Sequence, residues 1–175
     1  MNTAFSVSND ATILFDDLLH ENHGMFAILT VAKYLSELYR TNHWSCKGRH
    51  FYSQHELYGK LYEACNAEVD SIAEKLLYSN KLNNSQVNIT KLNNAVCKVS
   101  NYVNNNFLQV VSTEDTMLKK VIFTEEVFLY CIAYCIESLK FEKLFTRGID
   151  NLLAGIEDIH EKNLYLLYSS ESSQL

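Results

Sequence analysis

Not one proline interrupts the 175 residues, and only five glycines do. Proline inside a helix removes a backbone hydrogen bond and clashes with the preceding turn, so a chain without it can run in long, unbroken helices. The expectation is an all-α fold of a few long helices. Hydrophobic residues make up 47 % of the chain, enough at this length to fill one sizeable core. Residues 1–175 therefore read as a single domain without internal repeats, with 1–8 and 169–175 as flexible tails.

Periodicity locates four long helical segments. In the first, Leu14, Leu18, Met25, Ile28, Leu29, Ala32, Leu35 and Tyr39 share one arc, with Ser8, Asn9 or Asp10 available as N-cap. Its expected end is near Lys47-Gly48, where glycine can take the left-handed conformation. The second runs from about Tyr52 to Leu77 and carries Leu57, Leu61, Cys65, Ile72 and Leu76 on one stripe. Residues 80–106 hold ten asparagines and read as a long connection, with a short helix between Thr90 and Val103. The third long helix, preceded by Ser112 or Thr113, is expected to reach Thr146 and break at Arg147-Gly148. The fourth is expected from Ile149 to about Tyr168. Two long helices, a long crossover and two more are the plan of a ferritin-like four-helix bundle.

Several function classes fall away. The longest apolar run, VFLYCIAYCI, is ten residues between Glu126 and Glu137, too short to span a bilayer. The N-terminus has no basic region ahead of an apolar run, so no secretory signal is expected. Five cysteines without CxxC spacing read as reduced thiols of a cytoplasmic protein. The net charge is −6, the first basic residue is Lys33 and the last Lys162, so neither tail can grip DNA phosphates and DNA binding is expected to be weak or absent. No phosphate-binding glycine loop or nucleophile elbow occurs.

What remains is a constellation of metal-ligand types. His43 and His55 flank the turn between the first two helices, and Asp70 and Glu74 stand one helical turn apart further on. Imidazole plus carboxylate suits iron. Singly, each histidine is more commonly a helix-end residue than a ligand, and an Asp/Glu pair more commonly a solvated face; together the four leave the two readings balanced. If all four hold one centre, a single chain cannot complete it. His55 and Asp70 lie fifteen residues apart on one helix, roughly 22 Å at helical rise. The second helix must then pair with its copy across a two-fold axis, giving two identical sites per dimer.

The run HWSCKGRHFYSQHELYGKLYEACNAEVDSIAEKL resembles the signature of the Dps mini-ferritins (DNA-binding proteins from starved cells). His43-Trp44, the glycine turn at Gly48, Phe51, His55-Glu56, Asp70 and Glu74 match the family's spacing over about forty residues. The resemblance implies a homododecameric hollow shell with ferroxidase centres at subunit two-folds. There Fe(II) would be oxidised by hydrogen peroxide or oxygen and stored as ferric mineral, limiting oxidative damage. It implies His43 and His55 from one subunit and Asp70 and Glu74 from its neighbour as iron ligands, flanked by Trp44 and Glu56. The chain departs from the family in lacking a lysine-rich N-terminal tail, in Arg49 within the turn, and in Tyr165 where a C-terminal tryptophan region is usual. Acidic pore residues also fail to align, Asn151 standing beside Asp150.

Other constellations compete. Asp16, His20 and His23, at i, i+4 and i+7, form an accessory surface metal site or a plain solvated face. Glu157-Asp-Ile-His160 is an ExxH unit with Asp17-x-x-His20 as an imperfect mate, which gives an intra-bundle di-iron protein as an alternative. A non-enzymatic shell, or a DNA-compacting structural protein, is the alternative from a different class.

Overall fold

In a computed structural model of one chain, the described residues are 9–20, 23–80, 88–107 and 116–172. They form six helices: α1 Asn9–His20, α2 Gly24–Ser45, α3 Phe51–Asn80, α4 Ile89–Phe107, α5 Thr116–Phe141 and α6 Arg147–Ser172. The bundle consists of α2, α3, α5 and α6. Around it, α3 packs on α2, α2 on α5, α5 on α6, and α6 back on α3. Helices α3 and α5 thus stand on a diagonal, and the chain must cross the bundle between them. It does so through α4, which packs on α2 and α5 together with α1.

Helix α2 is covered on nearly every side, and its sequence GMFAILTVAKYLSELY is apolar almost all round. Every residue of the first predicted stripe is buried, from Leu14 to Tyr39. On α3 the stripe of Leu61, Cys65, Ile72 and Leu76 faces inward, as does that of Val121, Ile122, Phe128, Ile132 and Leu139 on α5. Among the described residues no helix is long and apolar enough to cross a membrane.

Several boundaries differ from the sequence expectation. The first segment is two helices, not one: His23 takes an extended N-cap conformation at φ −82° and ψ 167°. Gly24 then starts α2 against α5, so close that a Cβ would sit 2.9 Å from the Cys135 carbonyl oxygen. Helix α4 is longer than expected at 19 residues. The Asn88 side chain caps it by accepting from the Thr90 and Lys91 amides at 2.8 and 3.2 Å, and Ala95, Val99, Val103 and Phe107 anchor it. Helix α5 stops at Phe141, short of Thr146, because Lys143 adopts φ 59° and the Leu144 amide turns back to the Leu139 carbonyl at 2.9 Å. Arg147 and Gly148 do not break a helix but begin α6, since Thr146 accepts from the Ile149 amide through its side chain at 3.3 Å and its carbonyl at 3.0 Å. Helix α6 continues to Ser172, so residues 169–172 are helical and not a tail. Residues 1–8 and 173–175, with Ser112 and Thr113, lie outside the described residues.

Candidate metal centre

The turn between α2 and α3 is built for a close return. Helix α2 ends at Ser45, Gly48 takes φ 77°, and the Phe51 amide bonds the Gly48 carbonyl at 3.2 Å to start α3. This sets His43, in the last turn of α2, against His55, in the second turn of α3. Their rings stack with centroids 3.7 Å apart and planes 22° from parallel. His43 Nδ1–H donates to the His55 carbonyl at 2.8 Å, and His55 Nδ1–H donates to the His43 carbonyl at 2.9 Å. The reciprocal pair holds both imidazoles in one tautomer, with the proton on Nδ1 and the lone pair on Nε2. Two imidazole nitrogens could thereby hold a metal ion. Phe51 stacks on the outer face of His55 at 5.2 Å, and Gly59, one turn beyond His55, leaves the room that the His43 ring fills.

Asp70 and Glu74 are exposed on the same continuous helix as His55. The structure therefore brings His43 and His55 together but leaves Asp70 roughly 22 Å and Glu74 roughly 28 Å from His55 along α3. Glu74 lines a surface cleft with Ser71, Lys75, Tyr78, Gly148 and Leu152. Glu56 is exposed beside the histidine pair. Trp44 is 67 % exposed in the single chain, its indole under the Arg40 guanidinium at 5.3 Å, and that guanidinium also lies 5.9 Å from the Tyr62 ring. With Tyr52, 75 % exposed, and Phe51, 47 %, this end of the bundle presents an aromatic patch.

The supposed accessory triad loses its premise. His20 closes α1 and His23 caps α2, so Asp16, His20 and His23 do not share one continuous helix, and Asp16 instead accepts a hydrogen bond from the Tyr134 hydroxyl. Asp17 pairs with Lys98 at 2.8 Å, not with an ExxH mate. Glu157 lies outside the group that His160 joins.

Motif spacing in the sequence does not reveal that group as a unit. His160 on α6 is fully buried between Glu125 of α5, 2.5 Å from Nδ1, and Glu68 of α3, 2.8 Å from Nε2. The Tyr39 hydroxyl of α2 donates to the other oxygen of Glu125. All four bundle helices meet in this network, with Cys65 one turn before Glu68. Burial alone lowers the pKa of His160, but the two carboxylates outweigh it and raise the imidazolium to about 9. Burial pushes Glu125 the opposite way from its ordinary ionisation, raising its pKa, while His160 and Asn163 oppose the rise. The signal in the sequence was the position of charged residues on apolar stripes: Glu68 between Cys65 and Ile72, Glu125 between Ile122 and Phe128, His160 between Ile156 and Leu167.

The helices and their order define a ferritin-like four-helix bundle. More narrowly, the fold is that of solved Dps structures. The chain is similar to Dps from Vibrio cholerae O1, described as a member of a broad superfamily of ferritin-like diiron-carboxylate proteins, with a TM-score of 0.63 and 13 % identity over 92 % of this chain and 90 % of that one. It is similar to Dps from Thermosynechococcus elongatus, TM-score 0.62 and 18 % identity over 91 % and 93 %. Dps from Microbacterium arborescens in the high iron form gives 0.63 and 13 % over 97 % and 99 %. No protein-family model matches the sequence, and neither does any curated protein.

Proposed function

We propose that the chain is a Dps-type mini-ferritin, an oligomeric cytoplasmic ferroxidase that oxidises Fe(II) at centres shared between two subunits and stores the ferric product inside a dodecameric shell. The observation that carries this reading is the reciprocal histidine pair. Two Nε2 lone pairs presented by tautomers locked through the backbone are metal ligands in search of carboxylates. The carboxylates matching the Dps motif, Asp70 and Glu74, lie too far along α3 to reach them within one chain. An antiparallel pairing of α3 with its copy would set each His43/His55 pair against the partner copy's acid pair. The exposed aromatic patch of Trp44, Phe51 and Tyr52 is the kind of surface such a partner would cover.

Iron is here the substrate. Histidine and carboxylate donors would hold two ferrous ions while hydrogen peroxide takes one electron from each, giving two ferric ions and two hydroxides. The chain's contribution is to fix donor geometry: the carbonyls orient the imidazoles, Phe51 and Gly59 fix ring position, and the i, i+4 spacing aims both carboxylates to one side. The test is anaerobic Fe(II) titration of the purified protein, then separate addition of peroxide and oxygen, with native mass measured alongside. Saturable Fe(II) binding, rapid oxidation and a mass near twelve chains are expected. A shell without rapid oxidation would instead make it a non-enzymatic shell protein, and a monomer would remove both the shared centre and the storage role.

A further inference from the structure

The buried group around His160 has the composition of a second metal site, independent of the shared ferroxidase centre. Cys65 Sγ, a Glu68 carboxylate oxygen and a His160 ring nitrogen all lie within 4.8 Å of one another. Cys65 is 1 % exposed, Glu68 9 % and His160 not at all. Glu68 uses one oxygen on His160, while Oε1 is buried with no hydrogen-bond partner. An orphaned carboxylate oxygen in a bundle core is costly unless something cationic or protic meets it. The Cys65 thiol donates to the Ala32 carbonyl at 3.5 Å, a weak bond of the kind sulfur makes. Ser36, one turn beyond Ala32 on α2, also has a buried hydroxyl without a partner.

We propose that Cys65, Glu68 and His160 bind a borderline divalent cation of the zinc class, one per chain, inside the four-helix bundle. The donor set is thiolate, carboxylate and imidazole, which favours zinc or cobalt over hard cations. It also lacks the paired Glu-x-x-His units of an intra-bundle di-iron centre. Donors around a tetrahedral ion of this class stand about 3.5 Å apart, so closing the site needs about 1 Å of side-chain movement, within reach of Glu68 and Cys65 rotamers.

The surroundings supply what such a site needs. His160 coordinates through Nε2 while Nδ1–H stays on Glu125, and Tyr39 holds Glu125 in turn, an outer relay that orients the ring and raises its basicity. The ion displaces the proton on Nε2 and the proton on Sγ, so two positive charges replace two and the buried charge of the site is unchanged. Glu68 is the member still touched by solvent and marks the route of access.

Cobalt(II) is the probe, added to the full-length protein carrying H43A, H55A, D70A and E74A, so that the shared centre cannot contribute and the two proposals fail separately. One Co(II) per chain is expected by dialysis and elemental analysis. A near-ultraviolet sulfur-to-cobalt charge-transfer band and visible bands of four-coordinate cobalt should appear, and Zn(II) should erase them by displacement. Cys65→Ala, a small change at a buried site, should abolish the charge-transfer band. Glu125→Gln keeps all three donors and should weaken binding by about 10- to 100-fold. No cobalt bound by the folded protein, or a charge-transfer band that survives Cys65→Ala, would overturn the site. If Cys65→Ala does not fold, cobalt bound to the parent without any charge-transfer band would overturn it equally.

Discussion

Replacing Gly59 with alanine sets helix stability against ligand geometry at a single methyl group. A Cβ there would lie 3.2 Å from both Cε1 and Nδ1 of His43. Carbon contacts relax near 3.5–4.0 Å, so the ring must retreat by about 0.3–0.8 Å. It is clamped on both sides, stacked on His55 and tied through Nδ1 to the His55 carbonyl, so the retreat stretches that hydrogen bond or displaces both rings. Alanine gains up to about 1 kcal/mol over glycine inside a helix. Loss of one hydrogen bond costs about 0.5–1.5 kcal/mol. The two nearly cancel, and Tm should move by no more than about 4 °C. Oxidation should not be spared, because disturbing a group that orients a metal ligand lowers activity by about 10-fold or more. Gly155→Ala is the matched control: it lies in α6, and an added Cβ meets nothing within 4 Å. It should raise stability by about 1 kcal/mol and leave oxidation unchanged. Stopped-flow Fe(II) oxidation beside thermal melts of both variants decides the matter. If Gly59→Ala behaves like Gly155→Ala, the seating of the His43 ring has no part in the chemistry.

Two further outcomes follow from charge. In metal-free protein, His160 faces Glu68 of α3 and Glu125 of α5, with Tyr39 and Cys65 at the edge of the group, and its pKa is raised to about 9. The folded state then binds a proton that the unfolded chain gives up near 6.5, so this stabilisation is complete below about pH 6.5 and is lost as pH climbs through 9. Denaturant melts across that interval should show falling stability, and His160→Gln should flatten the trend; a flat wild-type profile would contradict it. DNA should give no mobility shift at physiological salt, since the chain's net charge is −6 and only local cations such as exposed Lys47 and Arg49 are offered. A tight complex persisting at that salt would refute the inference from charge.

The apolar stripes carried most of the architecture, because helix packing is encoded in period and needs no partner to be read. Leu14 through Tyr39 and Leu61 through Leu76 are buried as their spacing predicts, with Leu57 half-buried at the start of the second stripe. What escaped depended on contacts between distant segments or on the backbone conformation of single residues. The break before Gly24 arises from its approach to Cys135, and the end of α5 from a left-handed lysine at 143, a conformation that sequence assigns first to glycine or asparagine. The histidine pair was legible because His43 and His55 sit either side of a glycine turn. The buried carboxylates were less so: Glu68 and Glu125 stand on apolar stripes, but nothing in their spacing shows that α6 places His160 between them. The distance from His55 to Asp70 needed only helical rise, and the single helix spanning both makes a second chain necessary if the four residues share a centre.

Complementation between two inactive variants tests that necessity most directly. One chain carries His43→Ala and His55→Ala, the other Asp70→Ala and Glu74→Ala, and each alone should assemble but fail to oxidise Fe(II) rapidly. In a mixed dimer across the two-fold, one site has neither ligand pair and the other has both. Dissociating and reassembling the variants together should restore about half of wild-type activity if every dimer is mixed, and about a quarter if pairing is random. Mixed shells confirmed by native mass spectrometry that remain inactive would contradict a centre divided between two subunits.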